Sequence, residues 1–289
     1  MSKKFGDRKD GKRIRNISAL HKVMPHLMNN RTDAEVYLSE KIDITEVLKY
    51  LEKKNKGLEN HEKMTLFHTL ITAFGKTIYE RPLLNRFVQG KRHYDRNEIS
   101  FGFVAKNKFE DDAHEMVIKL VLNDEDNADS IKNFILTKVS TARKESTNDM
   151  DKTLNLLTSG PRFLTAFIIW IIKRLDFHGW LPKSFTDMDP NYATVFMTNL
   201  GSIKCNQVYH HLNNYGTNSI FFSIGTMTQE EIIRNGKKEI RDIVPVGVTV
   251  DERIADGFYF AKSIMLFKHI MENPSLLDEA MKEKVDYEI

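Results

Sequence analysis

The 289 residues carry 43 Lys plus Arg against 40 Asp plus Glu, and 41% hydrophobic with 10% aromatic residues supplies a sizeable core and excludes wholesale disorder. A net charge of +3 spread over the chain offers no polyanion-binding face, so no nucleic-acid partner is expected. The single cysteine, Cys205, excludes a disulfide framework and any Cys-rich metal site, and the polar first residues lack a signal-peptide pattern, so the expected location is cytoplasmic.

Residues 1–24 form a locally basic arm, with Lys3, Lys4, Arg8, Lys9, Lys12, Arg13, Arg15 and Lys22 against Asp7 and Asp10, and the arm reads as solvated. The rest, 25–289, reads as a single domain. In Asp33 to Asp43, Ala34, Val36, Leu38 and Ile42 fall on even positions, the alternation of a half-buried strand. Thr45 then stands as the N-cap of a helix whose apolar stripe is Val47, Leu48 and Leu51. After a polar loop at Asn55 to Glu62, Met64 to Tyr79 places Leu66, Phe67, Leu70, Ile71, Phe74 and Ile78 at helical spacing, and Arg81-Pro82 stops it.

Ile99 to Ala105 and Met116 to Leu122 read as strands, Asp129 to Arg143 as an amphipathic helix, and the polar stretch Lys144 to Lys152 is the best linker candidate. Phe163 to Ile172 is the most apolar run, but ten residues ended by Lys173-Arg174 fall short of the roughly 20 that span a bilayer. Beyond it lie three β-rich runs, Ala193 to Thr198, Ser219 to Ile224 and Ile243 to Val250, with a hairpin turn at Gly236-Lys237. A helix at Ala261 to Met271 is ended by Asn273-Pro274. The histidines, including His21, His26, His61 and His68, show no ligand spacing, so no metal is expected, and neither a Walker loop nor a Gly-x-Gly-x-x-Gly run is present.

The run Asp251-Glu252-Arg253-Ile254-Ala255-Asp256-Gly257 follows a strand, leads into a helix, and has Asn273-Pro274-Ser275-Leu276-Leu277 behind it. Upstream stand Met197-Thr198-Asn199-Leu200-Gly201, Arg81-Pro82-Leu83-Leu84-Asn85, Met24-Pro25-His26 and Ile42-Asp43-Ile44-Thr45. Together these resemble the catalytic domain of the acyltransferase component of 2-oxo acid dehydrogenase complexes and its relative chloramphenicol acetyltransferase. The likeness runs from about Arg15 to Leu277 and is thin between Lys106 and Tyr192. It implies an α/β, two-layer α+β fold of the chloramphenicol acetyltransferase type, a mixed sheet flanked by helices. It also implies a homotrimer with the active channel between subunits, and coenzyme A or an acyl-CoA as substrate, with an acyl group passing between a thioester and a thiol or hydroxyl acceptor. No lipoyl domain, subunit-binding domain or Ala/Pro linker precedes the fold, so a stand-alone member is expected. The apolar run at 163–184 then reads as a core helix, an oligomer contact or a channel wall; core or contact is favoured, and contact with a membrane surface is the less favoured reading.

Where the family has its catalytic histidine this chain has Glu252. A thiol of pKa about 8.5 is poorly matched to a carboxylate of about 4.3, a gap of roughly 5.7 kcal/mol, so Glu252 serves as a base only if its environment raises it. The expectation is therefore an acyltransferase with an altered or lost base, and the alternative a catalytically silent trimer acting as a binding or scaffolding module. Thr198 matches the family hydroxyl that donates to the tetrahedral oxyanion, with an ordinary strand threonine as the plain alternative. Asp256 matches a carboxylate that pairs with an arginine and holds the loop, with Arg253 and Arg15 as candidate partners. Gly257 is explained by backbone freedom at a loop-to-helix junction. His210-His211 followed by Tyr215-Gly216 imitates the His-His-x-x-x-Asp-Gly motif of related condensation enzymes, but is misplaced and lacks the Asp, so it reads as a surface turn. Cys205 reads as a small buried hydrophobe rather than a nucleophile.

Overall fold

The computed structural model describes residues 4, 6–106, 115–144, 159–234 and 236–287. The chain runs β1 (Gly11–Arg13), α1 (Ala19–Leu27), β2 (Glu35–Asp43), α2 (Thr45–Lys54), α3 (Leu66–Glu80), β3 (Arg86–Gln89), β4 (Arg92–Arg96), β5 (Ile99–Lys106) and β6 (Glu115–Leu122). It continues through α4 (Ala128–Lys144), α5 (Arg162–His178), α6 (Lys183–Met188), β7 (Val195–Asn199), β8 (Ile220–Ile224), β9 (Thr228–Arg234), β10 (Lys237–Asp251) and α7 (Gly257–Glu272). Among these residues the main sheet is ordered β2-β10-β8-β7-β5-β6, with β9 paired to the outer half of β10, and a second sheet is ordered β1-β4-β3. The β5–β7 and β7–β8 pairs are parallel and the others antiparallel, the mixed sheet that the family resemblance implies.

The helical layer is anchored by Phe74 of α3. Its ring meets Phe101 of β5, Phe222 of β8 and Phe267 of α7 at centroid distances of 6.1, 5.4 and 5.7 Å, within the range where tilted aromatic pairs attract. Around it Ile42, Leu70, Ile78, Ile118, Val244 and Ile270 belong to the same buried cluster. Pro245 sits inside the long strand β10, a place where a missing N–H normally breaks a ladder. It is tolerated because β9 pairs only up to Ile243 and β8 only from Val246, leaving Pro245 at the step between neighbours.

Several segments differ from the sequence reading. The basic arm is folded in: β1 pairs with β4, and Arg8 is buried beneath the sheet edge, bonded to Asp10 and Asp176 at 2.7 Å each and lying over the Phe87 and Tyr94 rings. Thr45 is the first residue of α2 rather than its cap; its N–H donates to Asp43 Oδ1 and its hydroxyl accepts from the Asp242 N–H. The strands β1, β3, β4 and β9 and the helix α1 are not marked by apolar period, because their buried positions include Arg96 and His93 and β9 is largely exposed. The apolar run at 163–172 is not a core helix. Phe163 is 76% and Trp170 61% exposed, while Asp176 in the last turn is the helix's buried residue. Among the described residues no helix is long and apolar enough to cross a membrane. The linker expected at 144–152 lies outside the described residues beyond Lys144.

Helix α3 opens on an unusual cap. The Thr65 N–H donates to His68 Nδ1 at 3.0 Å, so the imidazole occupies the place a glutamine takes in a capping box. Burial pushes His68 down to about 4, with Lys132 acting in the same sense. The folded value lies below the unfolded one, so between pH 6.5 and about 4 the unfolded chain binds the proton and the folded chain does not. Stability is lost as pH falls through that window, by up to about 3 kcal/mol. In urea titrations at pH 7 and pH 4.5, His68→Gln keeps the cap and shows a shallower loss than the parent; an equal loss in both would remove His68 as the cause.

Candidate active site

Strand β10 ends at Asp251, paired with Glu35 of β2, and the turn after it is held by side chains from three directions. Asp251 is fully buried, and its Oδ1 accepts from the Arg253 backbone N–H at 3.1 Å and from Nε at 2.7 Å while Oδ2 accepts from Nη2 at 2.7 Å. Arg253 Nη1 donates to the Met28 carbonyl at the end of α1, and His93 Nε2 on β4 donates to the Arg253 carbonyl at 3.0 Å. Burial holds the His93 imidazole below its usual value, which keeps it neutral with Nε2 as donor. Between these anchors the Glu252 N–H donates to the Ala34 carbonyl at 2.9 Å, and its side chain is half-buried.

Two expected loop roles are corrected. The partner of Arg253 is Asp251, two residues away, and Arg15 pairs with Asp7 at 2.9 Å. Asp256 instead caps α7, accepting the Tyr259 N–H at 2.8 Å, and is exposed. The physical reason is reach: the fork of Arg253 turns inward onto a carboxylate already buried at the strand end, whereas Asp256 faces the free N–H groups of the first helical turn. Gly257 lies outside the left-handed region, and a Cβ there would meet nothing within 4 Å, so backbone freedom does not explain it. The sequence reading missed Asp251 and His93; the Asp-x-Arg spacing at the end of an apolar strand is the signal that marks a bidentate turn.

Thr198, on β7, is half-buried and lies in register with Ser223 of β8, which in turn faces Gly247 of β10. Asp251 is four residues further along β10. At strand spacings this sets Thr198 and the loop roughly 13 Å apart along the sheet and about 10 Å apart across it. One chain therefore keeps Glu252 and Thr198 apart. Beside Thr198 the segment 205–208 crosses the sheet: the Val208 N–H donates to Ser223 Oγ at 3.1 Å, and a Cβ on Gly247 would fall 2.5 Å from the Val208 carbonyl oxygen. Cys205, expected to be buried, is exposed at the start of this strap. His210 and His211 lie on the surface as expected, with His210 stacked on Phe221 at 4.2 Å. Among the described residues no cluster of His, Cys, Asp or Glu could hold a metal.

Residues 9–107 and 183–278, well over half the chain, match the family described as 2-oxoacid dehydrogenases acyltransferase (catalytic domain). The chain belongs to that family. Among solved structures it is similar to a probable dihydrolipoamide acetyltransferase from Listeria monocytogenes, at 17% identity, covering 91% of this chain and 95% of that one with a TM-score of 0.60. The dihydrolipoamide acetyltransferase of Azotobacter vinelandii is similar at 14% identity, 91% and 93% coverage and a TM-score of 0.60. A chloramphenicol acetyltransferase is similar at 12% identity, 91% and 98% coverage and a TM-score of 0.53. These likenesses establish the chloramphenicol acetyltransferase-like fold. No curated protein sequence matches the chain.

Removing one partner of a buried ion pair leaves the other charge stranded, at a cost of about 3–5 kcal/mol. Arg253→Met is expected to destabilise by that amount, and the double variant Asp251→Leu/Arg253→Met by less than the sum of the singles. Chemical denaturation of the four proteins measures the coupling, and additive losses would mean that the pair does not hold the turn.

Proposed function

We propose that this protein is an acyltransferase of the coenzyme A-dependent type whose base is altered or lost, moving an acyl group between a thioester and a thiol or hydroxyl acceptor. The observation that carries the reading is the loop itself. Asp251, Arg253, Met28 and His93 fix its backbone as closely as a catalytic loop requires, yet the side chain presented between them is Glu252. Fixed orientation of a proton acceptor is what makes general base catalysis effective. In the Azotobacter enzyme the mechanism has been studied through a serine, a histidine and an asparagine, the latter two four residues apart. Glu252 and Asp256 stand at the same interval here, and Thr198 supplies a hydroxyl.

Because one chain separates Thr198 from Glu252, the reading requires two copies to complete the site, in keeping with a homotrimer. Exposed apolar side chains flank the loop on both sides, Leu20, Val23 and Leu27 on α1 and Phe258 on α7, and an oligomer contact accounts for them. Sedimentation at micromolar concentration is expected to give three chains per particle; a monomer would remove the two-copy site.

Glu252 is the decisive residue. With coenzyme A thioesters of several acyl lengths, the parent is expected to release thiol slowly. Glu252→His is expected to raise that rate by roughly a hundredfold, the scale of a positioned general base. Parent activity that rises with pH and vanishes in Glu252→Gln would instead show the carboxylate working as the base. If parent and histidine variant are equally inactive with every donor, the acyltransferase reading fails and the silent trimer takes its place.

A further inference from the structure

A cavity of about 390 Å³ lies between the end of α1, the β3–β4 turn, the last turns of α5 and the loop at 214–215. Its charged lining is Arg31, Lys91, Lys173 and Arg253 against the one carboxylate of Asp176. That carboxylate is already taken: Oδ1 accepts from Arg8 at 2.7 Å and Oδ2 from the Gln89 amide. Arg253 is matched by Asp251. Among the described residues Arg31, Lys91 and Lys173 form no ion pair; the carboxylates that act on Arg31, Asp251 and Asp176, are held by Arg253 and Arg8.

Arg31 is the sharpest of the three. It is 3% exposed, its Nη groups donate only to the Val88 and Asn213 carbonyls and the Gln89 side-chain oxygen, and its Nε has no partner. Burial holds its guanidinium down to about 10, with Asp251 opposing and Arg253 reinforcing the shift. A buried donor left unpaired is costly, and natural structures rarely retain one without a use. Lys91 adds a second anomaly. It occupies the left-handed region at φ 62°, in a turn where glycine or asparagine is preferred, and its Nζ donates to the Pro25 carbonyl and the Asn29 side chain. A side chain kept at a strained position and aimed along the cavity wall is placed for its charge.

Two lysine point charges and the Arg31 guanidinium, with the Asn29 amide beside Lys91, supply positive charge suited to a dianion carrying several oxygens. The volume is that of about a dozen liquid waters, more than a bare anion fills, and lies in the range of small-molecule sites. Lys173 and Asp176 lie outside the residues that match the family, so the cavity is built in part by residues beyond that match. We propose that it binds a phosphomonoester of a small polar molecule, with the phosphoryl group held by Arg31, Lys91 and Lys173.

Calorimetric titration of the full chain with inorganic phosphate, ribose 5-phosphate and ribose separates the sources of binding. Ribose 5-phosphate is expected to bind saturably at one per chain and more tightly than phosphate, while ribose gives no heat. The double variant Lys91→Gln/Lys173→Gln is expected to weaken binding at least tenfold while a cooperative melting transition in the absence of ligand shows that it still folds. Phosphate bound as tightly as the ester would overturn the monoester assignment. No saturable binding, or binding unaffected by the double variant, would overturn the site. None of these readouts depends on acyl transfer, so the site stands or falls separately from the proposed activity.

Discussion

The turn after β10 depends on one buried interaction, the bidentate pairing of Arg253 with Asp251. Burying two charges brings little net stability compared with apolar packing, because desolvation offsets most of the attraction. What the pair supplies is geometry. It closes the strand end on itself, points the backbone of Glu252 at Ala34, and leaves Nη1 free to reach α1. The end of α1, the start of β2, the strand β4 and the start of α7 therefore share a common reference point, and the position of Glu252 is defined by four elements rather than by the loop alone.

The main sheet imposes the second constraint. Register through Thr198, Ser223 and Gly247 fixes the hydroxyl on one strand far from the carboxylate at the end of another. No side-chain rotation closes a gap of that size. The proposed site is for this reason a composite one, and the exposed apolar side chains of α1 are the surface that the proposal gives to a second copy.

Much of this was legible from the sequence. The alternation at 34–42, the helical spacing from Leu66 to Ile78 and the apolar run before Asp251 each correspond to an element whose one face is core. The segments that escaped are those where burial and polarity disagree: β4 buries His93 and Arg96, the latter donating to Tyr192 and Thr217, so no apolar period betrays it. At the site, Glu252 in the place of a histidine was visible at once, but the partner of Arg253 was not, since Asp251 and Asp256 are equally near in sequence and only the strand end decides between them. The helix at 162–178 misled for the opposite reason. Its composition is that of a core segment, while its surroundings leave Phe163 and Trp170 in solvent and bury Asp176.

That buried aspartate ties the helix at 162–178, which lies outside the residues that match the family, to Gln89, which lies inside them. Arg8 is clasped between Asp10 and Asp176 over two aromatic rings, and Gln89 holds the other oxygen of Asp176. Removing the helix at 162–178 would therefore do more than trim the surface. It would strand a guanidinium beneath the sheet edge with half its counter-charge gone and strip a wall from the cavity beside Arg253. The helix is in this sense a support of the N-terminal segment: the guanidinium of Arg8, just ahead of the first strand, relies on it for one of its two carboxylates.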